Sequence, residues 1–341
     1  MEIMEYRVRS KRSDEWVEKY KGAAITPEML NIKLGPMPTR VLKPNGKPLC
    51  VYLPGVLKAV SDLTYPGFSG IRMTTNNRGY AAGGERVLKP GRKRSAAPPI
   101  MSSILGSFDR VGSQQYCRLT AFTAQQVEKW TELLPYFEEV ARQFEAHVPE
   151  RYAAQMVATE NTHPDWVIEG TPFTTITVNN TYPTGIHTDR GDLDEGFSTL
   201  GVIRRGDIEG GWLTFPQYGV YADMQDGDLI LMDAHDWHGN TTITCGICDE
   251  ELRKPNHVCP PEFHGGGHDS PGGPDFVSPE RVSVVSYFRT NLVECGSLAE
   301  EQAERARIQE ERAARNLGLV DEDAVASAAV MGIDITEEET E

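Results

Sequence analysis

The chain has 341 residues, with 34 basic and 50 acidic side chains and a formal net charge of −16. This length allows one large domain or two smaller ones. No run of eighteen apolar residues occurs, which excludes a helical membrane span and gives no reason to expect a membrane partner. The first residues contain no apolar stretch of the secretory type, so we expect a cytoplasmic or nuclear protein.

Residues 1–150 are predicted to form an N-terminal extension that packs on a later core. Prolines and glycines interrupt residues 1–70, where we expect irregular structure and short strands. Residues 71–95 contain seven basic side chains and one acidic side chain among glycine, asparagine and serine, which predicts a basic loop. Such a loop can follow a phosphate backbone, or it can be an ordinary solvated surface loop.

Residues 124–147 have apolar side chains at helical spacing and predict a support helix on the outside of a sheet. Pro135 lies inside this pattern and is expected to kink or divide the helix, because proline removes a helical hydrogen bond.

Short segments rich in β-branched and aromatic residues follow, separated by glycine-rich turns. The predicted strands are Phe173–Val178, Thr199–Ile203, Trp212–Phe215, Leu229–Asp233 and Arg281–Phe288. Together they predict a mainly β protein with flanking helices (α+β). Its core over residues 151–296 would be a jelly roll, the double-stranded β-helix.

The triplet His187-Thr188-Asp189 places an imidazole and a carboxylate two residues apart. On an extended segment these two side chains point to the same side. A third nitrogen from a distant strand would complete the two-histidine, one-carboxylate arrangement of non-haem Fe(II) oxygenases. His235 and His238 are the two candidates for that nitrogen.

A Cys/His-rich insert over residues 245–273 has chemistry of its own. Cys245 and Cys248 form a CxxC pair, and Cys259 can supply a third thiolate for one tetrahedral zinc. The fourth ligand would be His257, His264 or His268, and the spacing favours His264. The alternative is a flexible excursion rich in glycine and proline.

The other three cysteines are expected to be buried thiols rather than part of a disulfide framework. They are Cys50, Cys117 and Cys295.

Residues 297–341 are predicted to be an acidic tail. Its first part, Ser297–Asn316, has opposed charges at i, i+4 spacing and predicts a surface helix. Residues 299–341 hold thirteen acidic and four basic side chains, so they contribute −9 and the rest of the chain −7.

Four stretches between residues 170 and 291 resemble the TET/JBP family of Fe(II)- and 2-oxoglutarate-dependent dioxygenases. They read GTPFTTITVNNTYPTGIHTDRGDLDEGFSTL, GGWLTFPQY, GDLILMDAHDWHGNT and RVSVVSYFR, and TNNRGYAAG at 75–83 is similar to the N-terminal part of the family. Members of the family oxidise the 5-methyl group of pyrimidines in DNA.

The resemblance implies that Fe(II), 2-oxoglutarate and O2 are the cofactors. His187, Asp189 and His238 would then bind iron. Arg281 and Ser283 would hold the far carboxylate of 2-oxoglutarate, because a guanidinium can pair with a carboxylate through two hydrogen bonds. Arg289, eight residues along the same strand face, is the competing arginine.

The resemblance also implies DNA as the partner, and no protein partner is inferred. 5-Methylcytosine is narrowly preferred as substrate, with thymine as the alternative. The target nucleotide would have to leave the duplex. The candidates for DNA contacts are Asn77, Arg78, Arg92, Lys93 and Arg94, and those for stacking on the base are Tyr80, Tyr182 and Tyr221.

Two other functions remain open from the residues themselves. One is the same chemistry on a free small molecule or a protein side chain. The other is a non-catalytic DNA-binding jelly roll.

Overall fold

The computed structural model describes residues 2–73, 102–112, 114–246 and 279–315. The strands in these ranges are β1 (Met4–Arg7), β2 (Ile32–Lys33), β3 (Thr39–Leu42), β4 (Pro48–Leu53), β5 (Ser102–Phe108), β6 (Arg118–Leu119), β7 (Thr175–Asn180), β8 (Ser198–Arg205), β9 (Ile208–Gly210), β10 (Leu213–Phe215), β11 (Val220–Ala222), β12 (Leu229–Met232), β13 (Gly239–Asn240), β14 (Ile243–Cys245) and β15 (Glu280–Tyr287). The α-helices are α1 (Asp14–Glu18), α2 (Lys58–Ser69), α3 (Ala121–Gln125), α4 (Val127–His147), α5 (Pro149–Glu160) and α6 (Leu298–Arg315). Short 3-10 helices cover Pro27–Met29, Pro164–Trp166 and Thr290–Glu294.

Two sheets form the core. Within the described ranges the larger sheet has the order β1-β3-β4-β12-β8-β15-β7-β5-β6, and the smaller has the order β13-β10-β11-β2. β9 and β14 form a separate antiparallel pair. The fold is the jelly-roll core with flanking helices that the strand pattern predicts.

The central strands of the larger sheet are buried on both faces, although β7 and β15 alternate apolar and polar side chains. On β15, Val282 and Val284 pack in the apolar cluster that includes the helical residues Phe137 and Phe144. Val285, which points the other way, packs in the cluster between the two sheets. The odd-numbered side chains of β15 therefore face the interior between the sheets, where ligands can be held.

Helix α4 covers the outer face of the larger sheet, as expected, but Pro135 does not divide it. Pro135 and Thr131, whose carbonyl loses its helical partner, are both on the exposed side of the helix. Water can satisfy that carbonyl, while the buried apolar side chains of the helix hold both halves on the sheet. Val127, one of the apolar residues at helical spacing in the sequence, is exposed.

Residues 1–70 contain more regular structure than their prolines and glycines suggest. β1, β3 and β4 extend the larger sheet beyond β12, and α2 contains Pro66. Strands from residues 1–150 and from residues 151–296 therefore share one sheet. A division of the chain near residue 150 remains a prediction.

Cys117 and Cys295 form a disulfide, contrary to the expectation of two buried thiols. Their α-carbons are 6.1 Å apart although 178 residues separate them in the chain. No local spacing signals such a pair, because only the folded chain brings the β6 region against the segment before α6. Cys50 is a buried free thiol, as expected.

Several predictions fall outside the described residues. They are the basic loop beyond residue 73, the insert beyond residue 246 and the tail beyond residue 315. The predicted tail helix is observed as α6. None of the described helices is long and apolar enough to span a membrane.

Candidate functional site

A two-residue backbone bridge brings the HxD triplet and His238 together. His187 and His238 each donate a backbone hydrogen bond to the other's carbonyl, both at 2.9 Å. The bridge is an isolated pair outside the regular strands, and the triplet lies on the connection between β7 and β8. Gly239 permits this approach, because a Cβ there would lie 2.9 Å from the carbonyl oxygen of Gly185.

The three predicted ligand side chains converge on one point. His187 Nε2 lies 3.7 Å from Asp189 Oδ1, and His238 Nε2 lies 3.6 Å from Asp189 Oδ2. All three ligand atoms are within 4.8 Å of one another. Two imidazoles and one carboxylate at these separations match the donor set for a non-haem Fe(II) ion.

Backbone carbonyls orient both imidazoles. His187 Nδ1 lies 2.8 Å from the Gly185 oxygen, and His238 Nδ1 lies 3.0 Å from the Asp236 oxygen. An Nδ1–H donated to a carbonyl leaves Nε2 with its lone pair directed at a metal, as is usual for metal-ligating histidines. The carbonyls therefore favour the tautomer that a metal needs.

His235 is held away from this cluster by carboxylates. Its Nδ1 lies 3.3 Å from Asp233 Oδ1, and its Nε2 lies 3.1 Å from Asp194 Oδ1. The hydrogen bond with Asp233 raises the pKa of His235. His235 is paired with two carboxylates and lies outside the ligand cluster, so the geometry favours His238 over His235 for the third position.

A cavity of about 430 Å³ adjoins the cluster. Both sheets contribute to its wall: Thr177, Asn179, Ser283 and Val285 from the larger sheet, and Leu213 and Asn240 from the smaller. This volume is in the range of sites for small ligands and cofactors. The three ligand side chains also line it, so a metal there would face the cavity.

Arg281 is buried beyond Ser283 on the same face of β15. Its side chain is among the largest that are fully buried, and Nη2 has no hydrogen-bond partner among the described residues. Burial, together with the charge of Arg204, lowers the pKa of Arg281 to about 10. A buried guanidinium with an unsatisfied donor is stabilised by a carboxylate, which is the group that 2-oxoglutarate would bring.

Two other side chains beside Arg281 fit the same ligand. Ser283 lines the cavity and its Oγ lies 3.5 Å from Asn179 Nδ2. The side-chain oxygen Oδ1 of Asn179 is buried without a hydrogen-bond partner among the described residues. Arg281 itself is not one of the cavity-lining residues, so Ser283 marks the point where the cavity reaches its strand face.

Arg289 lines the cavity but already has an anionic partner. Its Nη2 lies 2.7 Å from Asp109 Oδ1, and its Nε donates to the same oxygen at 2.9 Å. Asn291 Nδ2 donates to Asp109 Oδ2 at 3.1 Å. Because this buried carboxylate compensates Arg289, Arg281 is the better candidate for the cosubstrate.

Asp192 is a cavity residue that the sequence analysis missed. Ser198 Oγ donates a short hydrogen bond to its Oδ2. Burial raises the pKa of Asp192, and the nearby charge of Asp189 raises it further. The signal was available in the sequence, since Asp192 is only three residues beyond Asp189.

The described tyrosine candidates for base stacking do not line the cavity. Tyr182 is buried, and Tyr221 stacks on Trp212 with ring centroids 5.2 Å apart. Tyr80 and the five predicted DNA-contact residues lie outside the described ranges. Of the four predicted zinc ligands, Cys245 is described and is buried in β14. The other three, Cys248, Cys259 and His264, lie outside the described ranges.

Comparison with known proteins gives relatives in trypanosomatids. The chain is 34% identical over 234 residues to thymine dioxygenase JBP1-B of Trypanosoma cruzi, covering 66% of this chain and 24% of the relative. It is 32% identical over 218 residues to thymine dioxygenase JBP1 of Crithidia fasciculata, covering 63% of this chain and 23% of the relative. The chain thus spans about a quarter of the length of these curated relatives.

A solved structure of NgTET1 in complex with 5mC DNA has a similar fold. The TM-score is 0.51 at 12% sequence identity, over 84% of this chain and 92% of the other. A family model described as the oxygenase domain of the 2OGFeDO superfamily matches residues 103–290, more than half of the chain. On that match, and with the His187–Asp189–His238 cluster at its centre, the chain belongs to the Tet_JBP family.

Proposed function

We propose that this chain is an Fe(II)- and 2-oxoglutarate-dependent dioxygenase that hydroxylates the 5-methyl group of a pyrimidine in DNA. The observation that carries the proposal is the cluster of His187, Asp189 and His238 at the wall of the cavity between the sheets. The names of the relatives support the activity, and the family match supports the cofactors.

His187, Asp189 and His238 would hold Fe(II) through three ligands and leave three positions for cosubstrate and oxygen. When bound, Fe(II) with 2-oxoglutarate and O2 supplies the oxidation that replaces a methyl C–H by C–OH and releases succinate and carbon dioxide. The carbonyls of Gly185 and Asp236, in contact with Nδ1 of the two imidazoles, would leave each Nε2 free to bind the ion. The protein's part is therefore to fix the open positions towards the cavity.

Arg281 and Ser283 would bind the far carboxylate of 2-oxoglutarate. The unsatisfied Nη2 of Arg281 supplies a charged donor, and Ser283 supplies a hydroxyl on the same strand face. Asn179, across the strand pair from Ser283, offers a further polar contact. Ser283 lines the same cavity as His187, Asp189 and His238, so a cosubstrate held there would lie beside the metal ligands.

The rest of the cavity would receive the pyrimidine. A base inside a duplex cannot reach a buried metal, so the nucleotide has to be extruded. Asp192 and Arg289 place an acceptor and a donor on the cavity wall, where they could hydrogen-bond the polar edge of a base. Both 5-methylpyrimidines offer a donor and an acceptor on that edge.

Thymine now ranks first as substrate, ahead of the 5-methylcytosine that the sequence analysis preferred. Relatives with 32–37% identity are named thymine dioxygenases, whereas the structure with 5mC DNA shares 12% identity. A preference for 5-methylcytosine remains a prediction to be tested beside it.

Two exposed cations at the cavity would contact the DNA backbone. Lys21 and Arg190 both line the cavity, and both are solvent-exposed. Phosphate contacts from lysine and arginine supply most of the affinity for DNA that does not depend on sequence. They would act together with the predicted basic loop, whose DNA-contact residues lie outside the described ranges.

We also propose one structural zinc in the insert, bound by Cys245, Cys248, Cys259 and His264. The support is the ligand spacing in the sequence. Metal analysis of purified protein should find zinc that survives His187→Ala and is lost on Cys248→Ser with Cys259→Ser. Zinc missing from the unaltered protein would leave the flexible excursion as the better interpretation.

The central experiment is incubation with Fe(II), 2-oxoglutarate and oxygen, followed by mass spectrometry of the nucleosides. Three duplexes of the same sequence are compared: unmodified, 5-methylcytosine-containing, and one in which uracil replaces thymine. We expect 5-hydroxymethyluracil from the first duplex and no hydroxymethyl product from the third. A His238→Ala protein serves as the control, and absence of product from every duplex would overturn the proposal.

A further inference from the structure

The segment between β12 and β13 carries His238 and determines how its imidazole is turned. His238 Nδ1 lies 3.0 Å from the carbonyl oxygen of Asp236. The segment is fixed at its start, where Asp233 donates a backbone hydrogen bond to Leu49 on β4. A displacement of residues 233–236 would therefore displace the carbonyl that selects the tautomer and direction of His238.

Two carboxylates of this segment meet on a single lysine. Lys43 Nζ donates to Asp233 Oδ2 at 2.8 Å and makes a short contact with Asp236 Oδ2. The three side chains are only 11–15% exposed. Tyr218 donates its hydroxyl to the other oxygen of Asp236 at 2.7 Å. Asp236 is thus held on one side by Lys43 and on the other by Tyr218.

Lys43 reaches this segment from a different part of the chain. It follows β3 directly, in the turn towards β4, and lies 190 residues from Asp233. Among the described residues, it is the only lysine or arginine ion-paired with either carboxylate. Without it, two largely buried carboxylates would face each other with no such charge between them. The segment would then have to move to hydrate them.

We propose that Lys43 is a positioning residue for the metal centre, holding the Asp233–Asp236 segment so that the Asp236 carbonyl keeps His238 directed at the ion. This inference rests on the proposed function, because the ion is the Fe(II) of that function. It adds a residue from the N-terminal part of the chain, which the metal-binding motif does not include.

The test is a Mn(II) titration of the protein without 2-oxoglutarate or DNA. Electron paramagnetic resonance monitors the titration and gives the affinity for Mn(II). Mn(II) stands in for Fe(II) and avoids oxidation in air. Removing an interaction that orients a ligand usually weakens metal binding about 10- to 100-fold. We expect a loss in that range for Lys43→Met and recovery of most of the affinity in Lys43→Arg, which keeps the charge.

Two variants separate positioning from general stability. Lys47→Met changes an exposed lysine of the same turn. Lys58→Met breaks ion pairs with Asp62 and Asp226, on a different part of the protein. Both should bind Mn(II) like the unaltered protein, even where the melting temperature of Lys58→Met falls.

The outcomes distinguish the inference from the function on which it rests. If unaltered protein binds no Mn(II), the proposed function fails. If it binds Mn(II) and Lys43→Met binds equally well, the positioning role alone is overturned. Should Lys43→Met fail to fold, Lys43→Gln replaces it, because this variant stays polar but removes the charge that holds both carboxylates. Affinity equal to that of the unaltered protein in this variant would also overturn the inference.

Discussion

The three candidate iron ligands differ in how far solvent reaches them. The His238 side chain is 5% exposed, whereas the Asp189 side chain is 34% exposed. Both histidines are fixed by a shared backbone bridge and by carbonyls at Nδ1. Asp189 is fixed through its backbone N–H, which donates to Ala234. The carboxylate therefore faces the open side of the centre, where cosubstrate and substrate would enter.

We expect His187→Ala, Asp189→Ala and His238→Ala each to abolish product formation while the protein still folds. Each change removes one of three ligands from a site with no spare donor in the described cluster. His235→Ala should keep measurable activity, because His235 is paired with Asp233 and Asp194 instead. Turnover by His238→Ala without added imidazole would contradict this assignment.

Arg281→Ala should raise the 2-oxoglutarate concentration needed for half-maximal turnover far more than Arg289→Ala. A hydrogen bond to a charged group contributes roughly 1.5–3 kcal/mol, a factor of roughly 10 to 150 in affinity. The guanidinium of Arg289 is already ion-paired with Asp109. Titration of 2-oxoglutarate against both variants checks this, and a larger effect at Arg289 would reverse the choice.

Motif spacing could predict the residues that act through local geometry. His187 and Asp189 are two residues apart, and Arg281 and Ser283 share one strand face for the same reason. The partners of Arg289 could not be predicted this way. Asp109 lies 180 residues away, and only the pairing of β5 with β7 and of β7 with β15 brings it near.

Secondary structure could be predicted where the apolar residues repeat along the sequence with a single period. The central strands and α4 alternate or repeat clearly, so their positions agree with the sequence patterns to within a few residues. Helix α2 was missed because Pro66 and Gly67 interrupt its pattern. It forms because Phe68 packs edge-on against Tyr136 and Phe137 of α4. Tertiary packing here overrides weak local propensity.

The contact between α4 and β8 depends on a glycine. A Cβ at Gly201 would lie 2.1 Å from the Tyr136 hydroxyl and 2.9 Å from Leu57. Gly201→Ala should therefore destabilise the protein by about 1–3 kcal/mol, the usual cost of overpacking. Urea unfolding measures it. Gly35→Ala is the matched control, since no atom lies within 4 Å of its added Cβ, and equal midpoints for the two variants would contradict the prediction.

On the scale of the whole molecule, the charge of −16 opposes DNA binding unless cations are placed locally. Much of the negative charge is in the tail, away from the cavity in sequence. Lys21 and Arg190 are cations at the cavity itself. The sign of the local surface, rather than the net charge, would then decide where DNA docks.

We expect Lys21→Ala with Arg190→Ala to weaken DNA binding equally for all sequences. Each lost phosphate contact flattens the plot of log affinity against log salt by about 0.9. Fluorescence anisotropy at several salt concentrations measures the slope. Lys47→Ala with Lys129→Ala changes the net charge by the same amount at exposed positions that do not line the cavity. A slope identical to that of this control would show that Lys21 and Arg190 do not contact the DNA backbone.

The Cys117–Cys295 bond closes a covalent ring that contains His187, Asp189 and His238. A single cut inside the ring, for example at a protease site inserted in the exposed turn at Gly206-Asp207, would leave the two pieces tethered. On a denaturing gel the nicked protein should migrate as one species without reductant and as two with it. The whole metal centre thus sits in a loop that one backbone break cannot open.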